Sequence, residues 1–143
     1  MCIRDRRWAT SGVATTGHLI LEQVCAAGGI AVTHVPYKGG GQQLSDALAG
    51  QFELLSTNVG ALQLRYVRSG RFKALAVGAP QRVPLLPDVP TLAELGLPQA
   101  NLASRFGLFA PGGTPPERLR RLNAAVDVAL QQPAIRGLSL IHI

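Results

Sequence analysis

Hydrophobic positions in the first half of the chain follow two different spacings. Between residues 8 and 79, short apolar runs of strand length alternate with stretches in which apolar residues recur every three or four positions. This alternation is typical of strands joined by crossover helices, which produce a largely parallel sheet. We therefore predict an α/β fold for this half.

Turn and capping residues divide the pattern into three helices and three strands. Glycine is common just beyond the last residue of a helix, because it takes the left-handed conformation without strain. The predicted helices lie between Thr15 and Gly29, between Gly39 and Gly50, and between Asn58 and Gly70. Asn58 is expected to cap the third helix, whose buried face is predicted to contain Val59, Leu62 and Tyr66. The predicted strands cover residues 31–36, 52–57 and 72–78.

The second half begins with a proline-rich arm and ends in a strongly patterned helix. Thr91 and Glu94 have the spacing of a capping box around a short helical turn that Gly96 closes. A further strand is predicted over residues 105–110. Thr114 and Glu117 form a second candidate box, with Pro115 at the first helical position. The predicted helix has an apolar stripe, Leu119, Leu122, Val126, Ala129 and Leu130, and a polar face, Arg118, Arg120, Arg121 and Asp127.

Composition adds size and charge to this picture. The 143 residues are 47% hydrophobic, which is enough for one ordinary core, and the formal net charge is +6. No apolar run reaches the roughly 18 residues that a membrane span needs. A positive field attracts nucleic acid, anionic membrane surfaces and small carboxylates alike, so charge alone does not choose among these partners.

Evidence for catalysis, metal binding or nucleic-acid recognition is sparse. The acidic residues are scattered, no GxSxG motif is present, and Ser11, His18 and His34 have no orienting partner visible in the sequence. The histidines lack the close spacing of metal ligands. The arginines are dispersed and lack an aromatic platform, and the nearest cluster is typical of a solvated helix end. We predict no catalytic residue, no metal site, no cofactor and no nucleic-acid partner.

Two glycine-rich and hydroxyl-rich segments are the best candidate sites. In an open α/β sheet, ligands bind beyond the carboxyl ends of the strands, where loops lead into helix N-termini. The first segment, residues 11–17, brings hydroxyls and backbone N–H groups to a helix start that suits a carboxylate or phosphate. The second, residues 36–41, adds Lys38 but lacks the spacing of a nucleotide P-loop. Both segments also fit simple tight turns that precede capped helices.

Three segments in order resemble one protein family. They are residues 34–39, HVPYKG, residues 86–97, LPDVPTLAELGL, and residues 107–115, GLFAPGGTP, with the helix that follows. Together they resemble the extracytoplasmic receptors of tripartite tricarboxylate transporters, the Bug proteins, over residues 8–137. The resemblance implies a Venus-flytrap protein in the periplasm, whose two α/β lobes grip a small carboxylate and deliver it to the membrane subunits of a transporter.

The resemblance also assigns residues and boundaries. It implies an α/β, periplasmic-binding-protein-like lobe of type II, mostly parallel sheet flanked by helices, plus a C-terminal strand and helix that belong to the other lobe. The expected divisions are a terminal segment, 1–7, that is non-native or disordered, the second lobe with its connecting arm, 8–100, a return segment to an incomplete first lobe, 101–137, and a second non-native segment, 138–143. The ligand-binding residues it implies are Ser11, Gly12, Val13, Ala14, Thr15, Thr16, Lys38, Gly39 and Asn58.

The expected function is thus carboxylate capture, with two alternatives. Because the chain is expected to be a fragment with half of the cleft and no signal peptide, we predict weak or no binding of carboxylates by the chain alone. The first alternative is a basic module that binds nucleic acid. The second is a phosphate-handling enzyme that uses the glycine-rich loop from Gly39 to Gly41.

Overall fold

A parallel three-stranded sheet forms the centre of the protein. The computed structural model describes residues 6–105, 107–133 and 135. Strands β1, Arg7–Thr10, β2, Thr33–Pro36, and β3, Leu54–Leu55, pair in the order β2-β1-β3, and both pairings are parallel. Ala9 of the central strand pairs with Val35 on one side and Leu55 on the other, and it is fully buried. The predicted parallel sheet and α/β class are therefore confirmed.

Helices follow each of the three strands. They are α1, Thr16–Gly28, α2, Gly40–Leu48, and α3, Ala61–Arg68. The first helix ends as predicted, because Gly29 takes the left-handed conformation at φ 58° and its N–H donates to the Cys25 carbonyl. Leu21 faces the core with 2% exposure. The helix contacts β1 and a short 3-10 helix, Pro98–Ala100.

The third helix differs from its prediction in both start and face. It is capped by Gly60 and not by Asn58, and Gly60 has an extended backbone with φ −112° and ψ 168°. Its buried residue is Leu64, while Leu62 is 45% exposed. The later start rotates the buried face, so the predicted position of Leu62 in the core is wrong.

The strand predicted over residues 72–78 is also absent from the sheet. Val77 forms only one isolated parallel bridge, with Thr91, and exchanges hydrogen bonds with the backbone of the arm. Because β3 is only two residues long, it presents little edge to which a fourth strand could pair.

The proline-rich arm is held by the predicted capping box. The Thr91 N–H donates to Glu94 Oε2 at 2.7 Å, and the Glu94 N–H donates to Thr91 Oγ1 at 3.1 Å. Arg82 pairs with the same carboxylate at 3.0 Å. Gly96 closes the turn at φ 81°. The local sequence pattern therefore predicts this segment correctly.

The C-terminal part keeps its helix but not its predicted strand or cap. Residues 105 and 107–110 form no strand, and residue 106 lies outside the described residues. Helix α4, Pro116–Gln131, is capped by Pro115, so the proline at the first helical position is Pro116. The Thr114 hydroxyl donates to the Pro111 carbonyl and makes no capping bond, so the predicted box with Glu117 is wrong.

The apolar stripe of α4 is exposed. None of the helix is buried within the described chain, and Leu119 and Leu122 are 42% and 58% exposed. No helix in the described segments is both long and apolar enough to cross a membrane. The predicted terminal segments lie outside the described residues except for Arg6 and Arg7, and Arg7 opens β1.

Candidate functional site

Three loops meet at the carboxyl edge of the sheet. We call them loop 1, residues 11–15, loop 2, residues 37–39, and loop 3, residues 56–60. The Tyr37 N–H donates to the Thr10 carbonyl, and the Ser56 N–H donates to the Ala9 carbonyl, both at 2.9 Å. A Cβ on Gly12 would lie 3.6 Å from the Tyr37 carbonyl oxygen. Parallel pairing therefore brings residues distant in sequence to one edge of the sheet.

Loop 1 is folded around one carbonyl group. The Gly12 carbonyl accepts hydrogen bonds from the Thr10 hydroxyl at 3.0 Å and from the Thr15 hydroxyl at 2.8 Å. Gly12 itself has φ 151°, a conformation that side chains disfavour. Thr10 is fully buried, so its hydroxyl anchors the loop from inside the sheet.

Ala14 is the unusual residue of loop 1. It is the one non-glycine residue with positive φ in the described chain, at 59°, and its N–H donates to His18 Nδ1 at 3.0 Å. Within the described residues, the N–H groups of Val13 and Thr16 have no protein acceptor. Because α1 begins at Thr16, its positive dipole end adds to these donors. The arrangement can bind an anion through the backbone.

Two histidines contact residues that shape loop 1. The rings of His18 and His34 stack with centroids 4.2 Å apart and an interplanar angle of 10°. His34 Nε2 lies 2.7 Å from the Thr10 hydroxyl, and His18 Nε2 lies 3.3 Å from Glu22 Oε1. Burial and the neighbouring His18 lower the pKa of His34. The expectation that these histidines lack orienting partners is therefore wrong.

Loop 2 places Lys38 and Gly39 at the same edge, and both are exposed. Gly39 has φ 111°, so the glycine here is required by the backbone. Tyr37 anchors the loop, since its hydroxyl donates to Asp46 Oδ2 at 2.8 Å, and this hydrogen bond raises the pKa of Tyr37. Lys38 forms no ion pair within the described structure.

Loop 3 is held by hydrogen bonds from side chains that the sequence pattern does not mark as part of a site. The Ser56 hydroxyl accepts a hydrogen bond from Trp8 Nε1 at 2.8 Å, and the Ser56 carbonyl accepts one from Gln43 Nε2 at 3.1 Å. Gln43 is only 1% exposed. A Cβ on Gly17 would lie 2.8 Å from Ser56 Cβ, so glycine allows α1 to approach this loop. The feature of the sequence that could have identified Gln43 is its position, because it is a polar residue on the apolar side of a helix.

Asn58 lies in loop 3 but does not share this support. It is exposed and lies beyond the Ser56 anchor, and Gln63 Nε2 donates to the hydroxyl of its neighbour Thr57 at 3.2 Å. The structure thus brings loops 1 and 2 and the Ser56 part of loop 3 together. Asn58 is at the rim of this group.

The two edges of the sheet differ in their electrostatics. At the amino edge, Arg7 pairs with Glu53 at 2.8 Å, and the hydrogen bond lowers the pKa of Glu53 to about 2. At the carboxyl edge, no comparable ion pair within the described residues neutralises Lys38 or the backbone N–H donors. The described residues contain no group of three or more side chains suited to hold a metal ion.

Comparisons with known proteins agree on one family. The model described as "Tripartite tricarboxylate transporter family receptor" matches residues 5–141. "Protein BugT" of Bordetella pertussis is 35% identical over 128 residues, which cover 90% of this chain and 39% of that protein. The chain thus spans about two fifths of the length of this relative.

Solved structures give the same result for the fold. "R. palustris Rpa4515 with adipate" is similar with a TM-score of 0.82 and 35% identity, over 92% of this chain and 44% of that one. "MatC (Rpa3494) from Rhodopseudomonas palustris with bound malate" has a TM-score of 0.82 and 32% identity, over 94% of this chain and 45% of that one. The likeness covers nearly all of this chain and less than half of either neighbour.

Proposed function

Because the chain belongs to the tripartite tricarboxylate transporter receptor family, we propose that it is the carboxylate-gripping lobe of an extracytoplasmic solute-binding protein. The ligand is a small organic acid, as in the neighbours with adipate and malate. The lobe acts without catalysis and without a cofactor. In the whole protein it passes the acid to membrane subunits of the transporter from the periplasm.

One observation carries the proposal. Val13 of loop 1 and Thr16, the first residue of α1, present N–H groups without protein acceptors in the described chain. A carboxylate is the ligand that such a group of donors favours, since each oxygen accepts hydrogen bonds and the helix dipole favours negative charge. Lys38 in loop 2 adds a cation at the same edge, and Asn58 contributes at the rim.

The ligand residues proposed are those implied by the resemblance. They are Ser11, Gly12, Val13, Ala14, Thr15, Thr16, Lys38, Gly39 and Asn58. Their roles differ: the glycines let the backbone approach the ligand, Val13 and Thr16 supply N–H groups, and Ala14, whose N–H donates to His18, shapes the loop. Since one lobe provides only one side of a cleft, we expect this chain alone to bind with a Kd of about 1 mM or weaker.

A substitution at the helix start tests this grip. Thr16→Pro removes one N–H, and proline is favoured at the first helical position. Thr15, with φ −76° and ψ 162°, already has the extended conformation that a following proline requires. The change therefore removes a donor and leaves the backbone path intact. Thr16→Ala is the matched control, because it removes the side chain and keeps the donor.

Saturation-transfer NMR detects binding in this weak range. We expect signals from malate or adipate with the parent chain and with Thr16→Ala, and their loss with Thr16→Pro. A neutral diol of similar length should give no signal. Equal signals from the diol, or equal binding by both Thr16 variants, would overturn the proposed grip.

The two alternatives have their own readouts. A nucleic-acid module would bind duplex DNA with an affinity that falls steeply as salt rises. A phosphate-handling enzyme would hydrolyse a phosphate ester in a manner that depends on Lys38. We expect no DNA binding, because the aromatic rings nearest the basic residues of α3, Tyr66 and Phe72, are half-buried and pack on each other. We expect no hydrolysis, because the loop from Gly39 to Gly41 lacks the spacing of a phosphate-binding P-loop.

A further inference from the structure

His18 contacts the one strained residue of the candidate site. Its Nδ1 accepts the Ala14 N–H at 3.0 Å, and Ala14 has φ 59°. A backbone N–H can only donate, so Nδ1 carries no proton in this arrangement. The neutral ring then holds its proton on Nε2, which faces Glu22 Oε1 at 3.3 Å. The structure thus selects one tautomer of this histidine.

A second histidine holds the ring of His18 in place. His34 of β2 stacks on it at 4.2 Å and contacts the buried Thr10 hydroxyl at 2.7 Å. That hydroxyl also bonds the Gly12 carbonyl, so both histidines act on the same loop. The titratable groups in contact with His18 are Glu22 on its own helix and His34 on β2, and Thr10 of β1, which does not titrate, contacts His34.

We propose that His18 is a positioning residue for carboxylate binding: its neutral ring holds Ala14 in the left-handed conformation that directs the loop 1 N–H groups toward the ligand. The inference rests on the proposed function and extends it. His18 acts through Ala14 and does not touch the ligand. When the acceptor at Nδ1 is removed, the bond to Ala14 is lost and the loop relaxes.

Loss of this acceptor is predicted to weaken binding. Without the hydrogen bond, Ala14 is no longer held at positive φ, and a change there alters the direction of the neighbouring N–H groups. Loss of this one hydrogen bond is expected to weaken carboxylate binding about three- to tenfold.

Two substitutions separate positioning from simple structural support. His18→Asn keeps an acceptor near the position of Nδ1 and cannot titrate, whereas His18→Leu removes the acceptor. Gln23→Leu, at an exposed position of the same helix, controls for the added leucine. Each variant is compared with the parent chain by two-dimensional NMR under the same conditions, and amide exchange with solvent is measured as well. The Ala14 amide is followed first without ligand and then with adipate.

The expected result has two parts. In the parent chain, the hydrogen-bonded Ala14 amide exchanges with solvent more slowly than in His18→Leu, and adipate binds. In His18→Asn, the slow exchange at Ala14 and the binding of adipate are both retained. His18→Leu binds adipate more weakly, and Gln23→Leu behaves as the parent chain.

Other results would overturn the inference in distinguishable ways. Equal amide exchange at Ala14 in the parent chain and in His18→Leu, loss of binding in His18→Asn, or parent-like binding by His18→Leu would each contradict a positioning role. If the Ala14 amide behaves as expected and neither the parent chain nor any variant binds adipate at tens of millimolar, the positioning of the loop stands and the proposed grip on carboxylates fails.

Discussion

Helices α1 and α4 each have an apolar face, but their surroundings are very different. In α1, Leu21 is 2% exposed and the helix packs on β1 and the 3-10 helix at Pro98–Ala100. In α4, no residue is buried within the described chain, and Leu122 is 58% exposed. The pattern of a helix therefore identifies its apolar face, but burial depends on a partner that another part of the protein must supply.

The contrast also indicates which of the two regions can hold a binding site. The packed region carries the three loops whose positions are fixed by hydrogen bonds between distant residues, such as Trp8 with Ser56 and Thr10 with His34. The region around α4 has no comparable network between distant residues in the described chain. A preorganised binding site requires such support, so we place the site at the sheet edge.

The largest expected effect comes from the same truncation in the two helices. Leu21→Ala should lower the free energy of unfolding by about 2–5 kcal/mol, because it leaves a cavity in the core. Leu122→Ala should change it by no more than about 0.5 kcal/mol, because the side chain is already exposed. Urea unfolding followed by circular dichroism measures both. Equal losses would show that α4 is packed in solution.

A pair of glycines gives the next contrast. A Cβ on Gly78 would clash with the backbone carbonyl of Leu102, whereas one on Gly112 would meet nothing within 4 Å. Gly78→Ala should therefore destabilise the chain by about 1–3 kcal/mol. Gly112→Ala should be close to neutral. A shift of the unfolding midpoint in the second variant that matches the first would contradict the packing described at Leu102.

The two predicted capping boxes provide a smaller effect. Thr91→Ala should cost about 1 kcal/mol, because the Thr91 hydroxyl accepts the Glu94 N–H. Thr114→Ala should not weaken α4 by loss of a cap, because its hydroxyl bonds the Pro111 carbonyl instead. Thermal unfolding of both variants tests the difference. A larger loss for Thr114→Ala would reverse this assignment.

The smallest expected effect is a dependence of stability on pH. Burial lowers the pKa of His34 in the folded chain, so below about pH 6.5 the unfolded state binds a proton that the folded state does not. The contribution of His34 to the free energy of unfolding should therefore be fully present above that pH and decrease as the pH drops toward the lowered pKa. His34→Gln should flatten this profile in urea titrations. A profile unchanged by the substitution would assign the effect to another group.

Local patterns predicted those features whose causes are local. The glycine end of α1, the Thr91 and Glu94 box and the parallel strands follow from short-range spacing and from the crossover rule. Loop 1 and loop 2 were found as candidates for the same reason. Whether their residues bind a ligand is still a prediction.

Features set by distant contacts were not predictable in this way. The stacking of His18 on His34 depends on how α1 crosses β2, and the bond from Gln43 to Ser56 depends on how α2 meets loop 3. Asn58 has the properties of a cap, yet α3 begins later, at Ala61, after the extended Gly60. A capping preference is a weak local influence that tertiary packing can override.

The most direct test of the site is a map of where a carboxylate acts on the chain. Adipate is titrated into uniformly labelled protein at pH 8, and the backbone amide signals are followed by two-dimensional NMR. We predict the largest shifts at residues 12–17, smaller shifts around Lys38 and Ser56, and none along α4. Shifts centred on α4, or no shift at the sheet edge at tens of millimolar adipate, would contradict the account.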